Sequence, residues 1–177
     1  MNIVIKEETE KDFKLIYETI KEAFLTAEHS DGDEQNLVNR LRNSKSYISE
    51  LALEALVDER VAGYLMMTKI KIKEKNESYD SLALAPLAIK PEFQGMGIGT
   101  TLVEAALENA KKLGYKSVIV LGSEKYYPRF GFKEASGFDV RPPFEVPEEN
   151  FMVIELEKDS LKYVSGVVEY AKEFFEQ

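Results

Sequence analysis

At 177 residues, with 44% hydrophobic and 11% aromatic content, the chain can bury a substantial core and is read as one domain spanning residues 1–177. Having no cysteine excludes disulfides, thiolate metal sites and a cysteine nucleophile, and a single histidine, His29, leaves little for a histidine metal centre or a Ser-His-Asp triad, so no metal is expected. A formal charge of −9 argues against a nucleic-acid binder and is compatible with a cationic amine as partner.

No stretch approaches the roughly 18 consecutive apolar residues of a membrane span, and MNIVIKEETEKD turns acidic too early for a signal peptide. A soluble, cytoplasmic protein without a membrane partner is the expectation. Residues 2–6 read as a short strand, and Thr9 followed by Asp12 marks a helix start of capping-box type. Phe13, Ile16, Tyr17, Ile20, Ala23 and Phe24 then recur at the spacing of one helical face. Turn-forming residues 28–34 read as a loop, and Leu37, Val38 and Leu41 as a second, shorter helix ending before Asn43.

A strand over 51–57, a turn at Asp58-Glu59-Arg60 and a strand over 61–72 predict a long hairpin, because Ile70 and Ile72 alternate with Lys69, Lys71 and Lys73. Residues 79–90 form another apolar strand. Pro86 lies inside it and cannot donate to a ladder, which predicts a bulge or a splayed edge.

The stretch LAIKPEFQGMGIGTTL, residues 87–102, then runs from this strand through a glycine-rich turn into a helix. Gly95, Gly97 and Gly99 let the backbone approach a ligand, and the helix start adds unpaired N–H groups and a positive dipole end, a layout suited to a pyrophosphate. The Walker pattern, which ends in Gly-Lys-Ser/Thr, does not fit, and neither does the dinucleotide G-x-G-x-x-G fingerprint. Ile98, Leu102, Ala105, Ala106 and Leu113 trace the helix's buried face up to Gly114, and Ser117–Leu121 is a fully apolar strand of the kind buried in a parallel pair. A short helix near 124–130, a loop over Arg141–Pro147 and a strand near Phe151–Leu156 follow, while the tail from Asp159 carries both helical and strand patterns.

The element Gln94-x-x-Gly97-x-Gly99 resembles the coenzyme A pyrophosphate loop of the GNAT superfamily of acyl-CoA N-acyltransferases, and Tyr127-Pro-Arg129-Phe-Gly131-Phe132 resembles the family's Y-x-R/K-x-G-F element. The likeness covers nearly the whole chain and is nearest to a poorly characterised bacterial branch of predicted N-acetyltransferases. It implies an α/β (α+β type) fold, a mixed central sheet with flanking helices and a splayed fourth and fifth strand pair that admits the pantetheine arm. It also implies an enzyme that takes acetyl-CoA as co-substrate and an amine as acceptor, a small molecule or a protein, by direct attack in a ternary complex. A homodimer is compatible with it.

On this resemblance Leu87, Ala88 and Ile89 hold the pantetheine through backbone N–H groups and polarise the thioester. Gly95, Gly97, Ile98, Gly99 and Thr100 bind the pyrophosphate, and Gln94 shapes the loop. Tyr127 is the catalytic proton donor to the departing thiolate, with Tyr126 beside the coenzyme as the alternative bearer of that role. Where some relatives carry a carboxylate base, this chain has Ala83. Glu54 and the loop residues Glu28, His29, Asp31, Asp33 and Glu34 are the candidates left for a base. The missing carboxylate keeps a second reading open, a catalytically silent acyl-CoA-binding module. A nucleotide-binding protein is a third reading, disfavoured by the missing loop lysine.

Overall fold

The computed structural model describes residues 1–177 and joins nine strands in one mixed sheet. In chain order these are β1 (Ile3–Glu7), α1 (Phe13–Phe24), α2 (Glu34–Arg42), β2 (Ala52–Val57), β3 (Arg60–Glu74), β4 (Glu77–Ile89), α3 (Ile98–Lys112), β5 (Ser117–Leu121), β6 (Lys133–Glu134), β7 (Val140–Arg141), β8 (Phe151–Glu155) and β9 (Gly166–Glu169). The sheet runs β1-β2-β3-β4-β5-β8-β6, with β9 on the far half of β3 and β7 on β9. Only β4–β5 and β7–β9 are parallel. No helix is long and apolar enough to cross a membrane.

Alternation along the central strands explains why both faces of the sheet are covered. Leu65 and Met67 point to one face, where Leu102, Val103 and Ala106 of α3 close over them. Met66 points to the other, under Ile16 and Ile20 of α1 and Val38 and Leu41 of α2. A third cluster around Ile72, Ile119, Val153 and Val168 fills the end built by β8 and β9.

Pro86 produces the expected defect. The Ala85–Pro86 peptide is cis, and the register against β3 slips from Leu87 opposite Leu65 to Leu84 opposite Met67. β4 pairs with β5 only at Leu82–Val118 and Ala83–Ile119, so beyond Ala83 the two strands diverge. A wedge opens between them, with unpaired strand edges on both sides.

Three local expectations are corrected, and one left open is resolved. Thr9 and Asp12 do not form a capping box: the Thr9 hydroxyl donates to Asp12 Oδ2 at 3.0 Å, and a 3₁₀ turn over Glu10–Asp12 precedes α1. The short helix near 124–130 shrinks to a 3₁₀ turn, Tyr127–Phe130, ended by Gly131 at a φ of +105°. The loop over Arg141–Pro147 loses its first residue to β7. The ambiguous tail becomes strand β9, since Val167 and Val168 pair with Lys73 and Ile72 of the long β3. Gly166 makes that approach possible: at a φ of +135°, a Cβ there would lie 2.2 Å from the Lys73 carbonyl oxygen.

Candidate active site

Two cavities lie along β4, one on each side of the bulge. The first takes Leu87, Ala88 and Ile89 as one wall and the turn from Gln94 to Thr100 as another. All the coenzyme-binding residues expected from the sequence come together here, Tyr126 included. Gln94 ties the turn to the strand, its side-chain amide donating to the Ile89 carbonyl at 3.2 Å.

The backbone of this turn is a run of free donors. No N–H from Gly95 through Thr100 has an acceptor within the chain, and the first one paired is that of Thr101, to the Gly97 carbonyl at 3.1 Å. Gly95 and Gly97 have φ values of +77° and +80°, and a Cβ on either would meet nothing within 4 Å, so the space above them is open. Unpaired N–H groups at the start of the 15-residue helix α3 carry a partial positive charge that suits a phosphate.

Arg129 adds a full positive charge to the lining of this cleft. Its guanidinium lies over the Tyr126 ring, 4.3 Å from the centroid, and its Nε donates to the Tyr126 carbonyl at 2.9 Å. No carboxylate lines this cleft. In a chain of net charge −9 that is a selective exclusion, and the donor set fits the pyrophosphate of a coenzyme.

Tyr127 sits behind this lining. Its ring packs edge-on against Tyr126 and Phe132, with centroids 5.1 and 5.7 Å away, and over Gly122, where a Cβ would lie 2.5 Å from the ring. The residue is buried, yet its hydroxyl is not among the sealed polar atoms that lack a partner. Burial, with a smaller push from Tyr126, raises its pKa above the ordinary phenol value and holds it protonated.

The second cavity, of about 450 Å³, opens on the other side of the bulge with Ala83, Leu84 and Ala85 as its floor. Asp31, Asp33 and Glu34 enter it from the loop before α2, and Phe144, Tyr170 and Phe174 from the C-terminal third. Asp33 is engaged by Arg40 at 3.0 Å and by the Asn36 amide at 3.0 Å; Asn36 foremost, with Arg40, holds its carboxyl below the usual range. The Ser30 hydroxyl donates to Glu34 at 2.7 Å. The aromatic residues of this wall had no distinguishing sequence signal, being spread over chain segments that only the fold brings together.

The other base candidates lie elsewhere. Glu28 and His29 are exposed and line neither cavity. Glu54 is fully buried between β1 and β3 and likewise lines neither cavity. Its nearest charges are Lys6, at 3.3 Å, and Asp12. Burial, aided by Asp12, pushes its pKa up to about 7 against the pull of Lys6.

Residues 13–132 match the acetyltransferase (GNAT) family. The chain is 32% identical over 154 residues to the uncharacterized N-acetyltransferase YhbS of Escherichia coli, covering 86% of this chain and 90% of that protein. It is 36% identical over 118 residues to the uncharacterized N-acetyltransferase YjhQ of the same organism, a match spanning 66% of this chain and 65% of YjhQ. The crystal structure of E. coli YhbS in complex with CoA superimposes with a TM-score of 0.89 at 30% identity, over 99% of this chain and 93% of that one. A GNAT acetyltransferase from Brucella melitensis in complex with acetyl-CoA gives 0.79 at 27% identity, over 98% of both chains. With the glycine turn, the splayed strands and these matches in agreement, the chain belongs to the GNAT family of acetyltransferases.

Proposed function

We propose that the protein transfers an acetyl group from acetyl-CoA to a primary amine by direct attack within a ternary complex. The observation that carries this reading is the pair of cavities flanking the β4 bulge, one free of carboxylates and rich in unpaired N–H donors, the other rich in carboxylates. The first suits the anionic coenzyme and the second a cationic acceptor. Two relatives whose structures hold CoA and acetyl-CoA support the choice of coenzyme.

In this reading the pyrophosphate is held by the N–H groups from Gly95 to Thr100 and by Arg129, and the pantetheine lies along Leu87–Ile89. A strand N–H there polarises the thioester carbonyl as charge develops on its oxygen. The neutral amine attacks the carbonyl carbon, the carbon–sulfur bond breaks, and Tyr127 donates its phenolic proton to the departing thiolate. The amine proton passes to water, and solvent returns one to Tyr127. No carboxylate stands at Ala83 to take the proton directly, so the acceptor reacts from its already deprotonated fraction or by way of water.

Free-thiol release from acetyl-CoA across a panel of amines tests the reading, and the absence of cysteine removes thiol background. Saturable, amine-dependent release is expected. Ala83 favours the alternative of a silent acyl-CoA-binding module, which predicts tight acetyl-CoA binding and no release with any amine.

A further inference from the structure

We propose that the acceptor is an arylalkylamine, a primary amine on an aromatic body with no carboxylate of its own, bound in the cavity over Ala83–Ala85. The proposal rests on the transferase reading and names the substrate class of its second cavity. Position comes first. Ala85 faces this cavity and Leu87 the glycine-turn cleft, two residues apart on β4. An amine held over Ala85 therefore lies beside the thioester that Leu87–Ile89 would hold.

The aromatic lining sets the body of the ligand. Phe144 stacks on Tyr170 with centroids 5.8 Å apart and planes 20° from parallel, and Tyr170 meets Phe174 at 5.0 Å and Phe175 at 6.3 Å. These rings come from chain segments on either side of β8 and β9, yet they converge on one cavity. Phe144 and Phe175 leave 37% and 63% of their surface exposed. Open ring faces and edges in a cavity of about 450 Å³ match an aromatic guest, since such pairs add about 0.5–1.5 kcal/mol beyond burial.

Charge sets the rest. Asp31, Asp33, Glu34 and Glu176 stand against a single guanidinium, that of Arg40, which is already spent on Asp33 and on the Glu173 carbonyl. An ammonium group gains from the carboxylates and from the negative ring faces. A carboxylate on the ligand would face four like charges and one cation already paired with Asp33, so amino acids are rejected. A polyamine would satisfy the acidic rim but leave the aromatic wall uncovered.

The test is the initial rate of thiol release by the full chain with 2-phenylethylamine and tyramine. Phenylalanine and tyrosine, the same bodies bearing a carboxylate, spermidine and a lysine-containing peptide serve as comparisons. The expected kcat/KM for the arylalkylamines exceeds that for the amino acids by about 100-fold and that for spermidine by about 10-fold, from charge exclusion and ring contact respectively. Phe144→Ala should raise KM for 2-phenylethylamine by about 10-fold while the acetyl-CoA Kd, measured by calorimetry, stays unchanged. Amino acids, spermidine or the peptide turned over as well as the arylalkylamines, or a KM untouched by Phe144→Ala, overturns the acceptor assignment and leaves the transferase standing. Acetyl-CoA binding without release for any amine overturns the transferase reading itself.

Discussion

The hydroxyl of Tyr126 lies 2.8 Å from the point that a Cβ on Gly99 would occupy. Gly99 is in the first turn of α3 and Tyr126 follows β5, so this contact joins two walls of the coenzyme cleft. Alanine is a better helix former than glycine by about 0.5–1 kcal/mol, so Gly99→Ala should not lower the midpoint of thermal unfolding. The methyl would instead push the Tyr126 ring, and Arg129 with it, out of place. Calorimetric titration with CoA should show affinity reduced about 5- to 10-fold, a loss of roughly 1 kcal/mol. Unchanged affinity would show that the Tyr126 position is immaterial to the coenzyme.

Gly97 differs in kind, because its φ of +80° and the empty space around it make the constraint one of backbone alone. Gly97→Val forces a β-branched residue into the left-handed region at a cost of about 1–2 kcal/mol or a rearranged turn. The run of N–H donors would then point elsewhere. CoA affinity should fall about 10-fold or more, with a smaller effect on the unfolding midpoint. A Kd within twofold of the wild type would refute the loop assignment.

Tyr127→Phe keeps the ring that packs over Gly122 and removes only the hydroxyl proposed as the proton donor. Turnover should fall about 100-fold or more with acetyl-CoA binding unchanged. Because burial raises the phenol pKa, wild-type turnover should climb with pH as the acceptor amine deprotonates, without a descending limb from Tyr127 below pH of about 10. Equal turnover in variant and wild type would remove Tyr127 from the mechanism.

Glu54 links folding to pH. Its pKa rises from an ordinary 4.5 to about 7 on folding, so its neutral form is favoured in the folded state. That contribution is fully present below pH 4.5 and is lost as pH rises to 7 and beyond, where a buried carboxylate must ionise. Glu54→Gln should therefore stabilise the protein at pH 8 by about 1–3 kcal/mol and have little effect at pH 4.5. Urea denaturation at the two pH values measures the difference, and equal effects at both would show that Glu54 does not titrate in this range.

Glu8 holds the opposite kind of buried charge. Arg42 donates to both its oxygens, at 2.7 and 3.0 Å, Tyr47 at 2.7 Å and Tyr64 at 2.9 Å, and the Arg42 guanidinium lies over the Phe13 ring. Glu8→Ala would leave two hydroxyls without an acceptor and the guanidinium with only its bond to Asn39 Oδ1, a loss of about 3–5 kcal/mol. Chemical denaturation should show it, and a loss below about 1 kcal/mol would mean that water replaces the carboxylate.

Most of the strand and helix order was readable because each segment's apolar period matched its final partner: α3 shows one helical face, and Val118–Val120 of β5 are apolar in a row because both faces of the sheet are covered there. The tail was unreadable for the converse reason. Val167 and Val168 suit a strand only where an edge awaits them, and that edge is the far half of β3, supplied about a hundred residues earlier. Arg129 joins the glycine-turn cleft through its place over Tyr126, a contact between side chains that the sequence does not display. Glu54 looked available as a base, yet its strand buries it beside Lys6 and Asp12, away from both cavities.

The sequence by itself determined the glycine turn proposed to hold the coenzyme, because a phosphate loop is local: closely spaced glycines and the helix start beside them carry the donors, and neighbouring residues need no distant partner. Tertiary structure alone decided the cavity proposed for the acceptor. Its floor, acidic rim and aromatic wall come from β4, the loop before α2 and the C-terminal third, and residues so far apart acquire a common chemistry only when the sheet brings them around one cavity.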